Sequence, residues 1–172
     1  MATYSASILT NSKFSLKILF SVSLLILSSK ITIPAYPVPF NLQTLTLFLL
    51  PLLYNTKVSL LSVVIWILMG CIGFPVFSGS LSGIQVILGP TGGYLIGMAV
   101  ASYLFYFLSI SSFNKNLYLL SIFIIFFCGV SWLSQFIGIK EALFYGLFIF
   151  IPSELIKAVL FFKTYRVFLQ KD

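Results

Sequence analysis

The sequence predicts an all-α polytopic membrane protein, a bundle of six transmembrane helices with both termini cytoplasmic. Three observations lead there. The 172-residue chain is 60% hydrophobic and 8% charged, more apolar surface than an interior of that size hides from water, so the bilayer is its solvent. The apolar residues fall into six segments punctuated by proline, glycine and lysine, and the basic residues gather at one set of segment ends. No stretch has the composition of a soluble domain or a long linker, so residues 1–172 read as a single membrane domain.

A crossing takes about 20 apolar residues, and roughly 17 at the short end. The first segment is 14–29. Lys13 and Lys17 before an apolar run imitate a secretory signal, but Ser28-Ser29-Lys30 offers no small-x-small cleavage site and further spans follow, so it reads as a retained helix. The second, 41–54, is short and interrupted by Pro51. The third, fourth and fifth are 57–73, 91–109 and 117–133. The sixth, 152–169, starts at Pro152, which suits a first helical turn where its missing N–H is not needed. A start near Lys140 would put that proline in mid-helix and make the span too long for a ~30 Å core. Residues 138–151 therefore read as a short apolar connection at the interface or folded over the bundle.

With six spans, Lys13, Lys17, Lys57, Lys115, Lys163, Arg166 and Lys171 share the side of the termini, against Lys30 and Lys140 opposite. By the positive-inside rule the termini are cytoplasmic. That asymmetry explains the formal net charge of +7 better than nucleic-acid binding does, because the basic residues form no patch.

Several chemistries are disfavoured. The chain has no histidine, the commonest general base and metal ligand. Cys71 and Cys128 stand apart in apolar segments and read as small buried hydrophobes. Gly89-Pro90-Thr91-Gly92-Gly93-Tyr94 lacks the lysine of a phosphate loop and follows no soluble strand. No enzymatic activity, cofactor or metal is expected. A membrane-embedded enzyme is the weaker alternative, since its acid–base chemistry would rest on one Glu–Lys pair.

That pair is Glu154 and Lys157, three residues apart in an apolar stretch. A charge in hydrocarbon costs several kcal/mol by order of magnitude unless it is paired or faces a polar cavity. The assigned topology puts the pair in the outer half of the membrane, as a site open to the exterior. A salt bridge that merely starts a helix near the headgroups is the competing explanation. On the same side lie residues 30–40, held extended by Pro34, Pro37 and Pro39, then Gln43, and then residues 74–90 with the amide Gln85. Phe40, Phe77 and Tyr94 are expected to pack on the apolar part of a small ligand, and Thr91 to cap a helix or touch the ligand. Gly93, Gly97 and Ala101, spaced by four, form a close-packing stripe.

Three strings carry a family resemblance: Pro37-Val38-Pro39-Phe40-Asn41-Leu42-Gln43-Thr44-Leu45, Gly73-Phe74-Pro75-Val76-Phe77 and Gly89-Pro90-Thr91-Gly92-Gly93-Tyr94-Leu95. In order and spacing they resemble the BioY family, the biotin-specific S components of energy-coupling-factor (ECF) transporters. Pro152-Ser153-Glu154-Leu155-Ile156-Lys157-Ala158 is similar to the family's Pro-Gly-Asp-Leu-Leu-Lys-Ala segment. The resemblance implies biotin captured near the outer face of the plasma membrane. It also implies Glu154 and Lys157 as ligand contacts, and as partners a coupling transmembrane subunit and two ATP-binding-cassette ATPases. An S component for a different vitamin is the alternative. The chain departs from the pattern in three places. Glu154 stands where the family has aspartate. The 74–88 loop lacks the asparagine expected of many members, leaving Ser78, Ser80 or Gln85 as substitutes. Leu19-Phe20-Ser21-Val22-Ser23 replaces the small-residue docking face of the first helix.

Overall fold

The computed structural model describes residues 2–79, 81–108 and 115–169, with side chains from Ser12 onward. Ser80, Lys171 and most of the 110–116 connection lie outside the described residues.

A helix occupies each of the six apolar segments. They are α1 (Ala2–Lys30), α2 (Gln43–Leu53), α3 (Thr56–Cys71), α5 (Gly92–Leu108), α6 (Lys115–Ile137) and α8 (Ile151–Leu169). Two short helices lie between them, α4 (Ile84–Leu88) and α7 (Ile139–Gly146), the latter followed by a 3-10 turn over Phe148–Phe150. Three helical stretches are long and apolar enough to cross a membrane: Ser12–Lys30, Lys115–Ile137 and Ile139–Phe168. The last is not one straight helix, because the chain leaves helical geometry at Leu147, with φ −128° and ψ −62°. Helix α2, with 11 residues, is only about 16 Å long, half a hydrocarbon core.

Local chemistry accounts for the boundaries. The Asn55 side chain accepts from Val58 N at 2.8 Å and caps α3. Gly138, at φ +84°, supplies the left-handed residue that ends α6 and turns the chain into α7. Pro51 does not interrupt α2 as the sequence suggests. It lies inside the helix one residue before its last two, so the missing N–H removes a single bond and Tyr54 N still reaches Leu50 O. The all-α expectation gains one addition, an antiparallel pair of two-residue strands, β1 (Thr32–Ile33) and β2 (Phe40–Asn41), which folds the proline-rich segment back on itself. The stretch 74–90, expected as a loop, contains α4.

Helix α1 packs on α2 and α3, α3 on α5, and α5 on α6, while α8 packs on α2. The closest approach is along the stripe of small residues on α5. A Cβ added at Gly93 would lie 2.3 Å from Trp132 Cβ, and one at Gly97 would lie 2.8 Å from Ile125 Cα. Only hydrogen at those positions lets α5 and α6 meet this closely. Phe48, Tyr118 and Phe161 join α2, α6 and α8, with ring centroids 4.5 Å apart for Phe48–Tyr118 and 4.8 Å for Tyr118–Phe161.

Candidate functional site

One cavity collects the N-terminal turns of α2, α5 and α8 together with Phe77, Ser78 and Leu81 and the face of α6 around Ile125 and Phe126. The cavity measures about 80 Å³ and is open on one side. Its surface is mostly apolar, and its polar side chains include Asn41, Gln43, Thr44, Ser78, Glu154 and Lys157.

The charged end is a triad. Lys157 Nζ donates to Glu154 Oε1 at 2.5 Å and to Thr44 Oγ1 at 3.0 Å. The Thr44 hydroxyl donates in turn to the Glu154 carboxylate, 3.1 and 3.2 Å from its two oxygens. The pair on α8 is thereby tied to α2. Only 6% of Lys157 is exposed, so this is not a surface bridge of the kind that starts a helix among headgroups. A buried ion pair contributes little net stability. An ammonium has three N–H donors. Among the described residues two are used, which leaves one for the cavity, along with unused lone pairs on Glu154.

Beside the triad, Asn41 sets the orientation of Gln43. Asn41 Nδ2 donates to Gln43 Oε1 at 2.7 Å and to Ser78 Oγ at 3.0 Å, while Asn41 Oδ1 accepts from Gln43 N at 3.1 Å. This holds the Gln43 carbonyl oxygen on Asn41. Gln43 is 5% exposed, and its Nε2 has no hydrogen-bond partner among the described residues. A buried donor without a partner costs about 1–3 kcal/mol, and this one lies in the cavity wall.

The apolar end is aromatic. Tyr94, Phe126 and Phe150 surround one another at 5.9 to 6.3 Å between centroids. Tyr94 fills a slot between two glycines, where an added Cβ at Gly129 would lie 2.3 Å from its ring and one at Gly146 would lie 2.5 Å from its hydroxyl. That hydroxyl donates to Gly146 O at 2.7 Å, so the ring alone is offered to the cavity. Phe77 crosses Trp66 edge-on at 5.3 Å and lies over Gly70.

Of the eight residues selected from sequence, Gln43, Phe77, Thr91, Tyr94, Glu154 and Lys157 line this cavity. Phe40 does not; it stacks behind Phe150 at 4.4 Å. Gln85 is exposed on α4, outside the lining. Thr44, Asn41 and Phe150 were not singled out. The first two belong to the Pro37–Leu45 string, where a threonine and an asparagine flanking Gln43 were the available signal. Nothing local marks Phe150 among its apolar neighbours.

Comparison with known proteins identifies the family. The model of the BioY family matches residues 5–170. The chain is 38% identical to the probable biotin transporter BioY of Rickettsia prowazekii, over 84% of this chain and 77% of that one. It is 34% identical to the biotin transporter BioY of Thermotoga maritima, over 80% of this chain and 84% of that one. Its fold is similar to the crystal structure of the S-component for biotin from an ECF-type ABC transporter, with a TM-score of 0.78 and 29% identity, covering 95% of this chain and 93% of that one. The chain belongs to the BioY family.

Proposed function

We propose that this protein is a biotin transporter, the substrate-binding S component of an ECF-type system, and that the cavity is its biotin site. The observation that carries this reading is the polar end of an otherwise apolar cavity. A carboxylate, an ammonium with one N–H to spare and an unpartnered carboxamide donor lie there together, beside an aromatic wall. Biotin has the complementary features: a fused bicycle with two ureido N–H groups and a carbonyl, and a carboxylate at the end of an alkyl chain. Glu154 accepts from the ligand's N–H groups, Lys157 and Gln43 donate to its carbonyl or carboxylate, and Tyr94 and Phe77 pack on its rings and methylenes. Thr91 stands at the mouth of α5 as a further hydroxyl.

The surrounding architecture in this reading is six membrane crossings with cytoplasmic termini, in the plasma membrane. It draws support from the helix in each apolar segment and from the basic residues at one set of ends. Binding then occurs from the exterior. The chain carries no nucleotide-binding lysine loop, so energy comes from partners, a coupling transmembrane subunit and two ATP-binding-cassette ATPases. The role is capture and delivery rather than catalysis.

Isothermal titration of the purified protein with biotin tests the assignment directly. Saturable binding at micromolar ligand or below is expected, with competition by biotin but not by thiamine or flavins. Absence of binding at micromolar biotin overturns it.

A further inference from the structure

The segment Phe74 to Gly79 forms one wall of the cavity through Phe77 and Ser78, yet it belongs to no helix or strand. Phe74 O and Ser78 O accept from the main-chain N–H groups of Val76 and Leu81, and the other four carbonyls accept from side chains of α1 and α3. Lys30 Nζ, in the last turn of α1, donates to Pro75 O at 2.6 Å, to Phe77 O at 2.9 Å and to Gly79 O. All three ammonium protons are thereby used on one short stretch of main chain. Between these contacts, Val76 O accepts from Ser29 Oγ at 2.8 Å and from Trp66 Nε1 at 3.0 Å. Hydrogen bonds from an ionised donor are roughly twice as strong as neutral ones. A lysine in the last turn of a helix is further favoured by the helix dipole. Much of the segment's orientation thus depends on one side chain.

We propose that Lys30 is a positioning residue for ligand retention: its ammonium clamps residues 75–79 against α1 and so sets how fast a bound ligand leaves the cavity. The clamp acts on the site through a polar chain. With Phe77 O and Gly79 O held, Ser78 Oγ lies 3.0 Å from Asn41 Nδ2, and Asn41 fixes the Gln43 carboxamide. It also holds the Phe77 ring over Gly70, where an added Cβ would lie 2.0 Å from that ring. When Lys30 lets go, Phe77 and Ser78 lose their placement together.

The inference relies on biotin as the ligand for its kinetic arm, so the test has a second arm that needs no ligand. Trp66 is fully buried and bonded to the clamped segment, which makes it the reporter once Trp132 is replaced (Trp132→Phe). In the purified full chain, Lys30→Met is expected to raise acrylamide quenching of Trp66 severalfold. It is also expected to speed release of radiolabelled biotin about tenfold or more, with helix content unchanged. Lys30→Arg, which keeps several charged donors, is expected to restore slow release. Should Lys30→Met fail to fold, Lys30→Gln keeps one N–H donor pair and gives the same change in smaller measure. Unchanged quenching overturns the proposal, and so does increased quenching with an unchanged release rate. If the Trp132→Phe parent and the wild type bind no biotin, increased quenching still supports the hold of Lys30 on the segment, and it is the biotin assignment that falls.

Discussion

The Thr44 hydroxyl lies 3.1 and 3.2 Å from the two carboxylate oxygens of Glu154, across the junction of α2 and α8. It accepts from Lys157 at 3.0 Å at the same time, so one neutral side chain bridges both members of the ion pair. This link makes the charged pair part of a wall between two helices instead of a feature of α8 alone.

Replacing Thr44 by valine keeps the shape and removes the hydroxyl. Biotin affinity is expected to fall roughly tenfold and stability by about 1–3 kcal/mol, the usual consequence of leaving charged groups short of a partner. Thr44→Ser restores both. Titration calorimetry and thermal unfolding in detergent measure the two effects, and equal affinity for valine and threonine would exclude a role for the bridge.

Lys157→Ala leaves Glu154 buried with only Thr44 for company. Breaking a buried pair on one side costs about 3–5 kcal/mol. Unfolding should therefore shift to clearly lower temperature, and biotin binding should be lost at micromolar ligand. Retained binding would return the pair to a purely structural role.

Glu154 is one methylene longer than the aspartate that the family resemblance implies here, so Glu154→Asp is the informative conservative change. Shortening the side chain by one methylene draws the carboxylate away from Thr44 while it stays beside Lys157. Affinity is expected to change by less than about tenfold, and Glu154→Gln, which removes the charge facing Lys157, is expected to cost more. The reverse order, read by calorimetry on the two variants, would show that reach to Thr44 matters more than charge.

Gln43→Leu separates binding from folding. Nε2, without a partner among the described residues, carries a desolvation cost that leucine removes, while leucine also takes away the Oε1 acceptor of Asn41 Nδ2. The two effects offset, so stability without biotin should change by less than about 1 kcal/mol, whereas biotin affinity should fall roughly tenfold. A parallel loss of both would mean that the amide serves the fold.

Gly93→Ala tests the helix junction under the site. The added Cβ would lie 2.3 Å from Trp132 Cβ and 2.5 Å from Cys128 O, too close without moving α6. A loss of about 1–3 kcal/mol is expected, visible as a lower unfolding temperature. An unchanged temperature would mean that α5 and α6 separate freely.

The legibility of this protein follows from the chemistry of its solvent. Each apolar segment could be located because spanning hydrocarbon demands unbroken apolar runs, and Pro152 and Gly138 marked ends by rules that act within a few residues. The stripe Gly93, Gly97 and Ala101 was also plain, since small residues at a spacing of four have one geometric use. The two charges announced themselves because charge is so costly in an apolar stretch.

The sequence by itself therefore determined the class of fold, the helical segments, the close-packing stripe on α5 and six of the cavity's residues. The tertiary structure alone decided which helix faces meet. In lipid the outside of a helix is as apolar as the core, so hydrophobic periodicity, which identifies the buried face of a soluble helix, carries no contrast here. For that reason Phe150 rather than Phe40 faces the cavity, and Gln85 faces away from it. The same holds for the contacts that define the site. Thr44 to Glu154, Asn41 to Ser78 and Lys30 to the carbonyls of residues 75–79 each join positions at least 37 apart in the chain, and only the packing of α1, α2, α3 and α8 brings them within hydrogen-bonding distance.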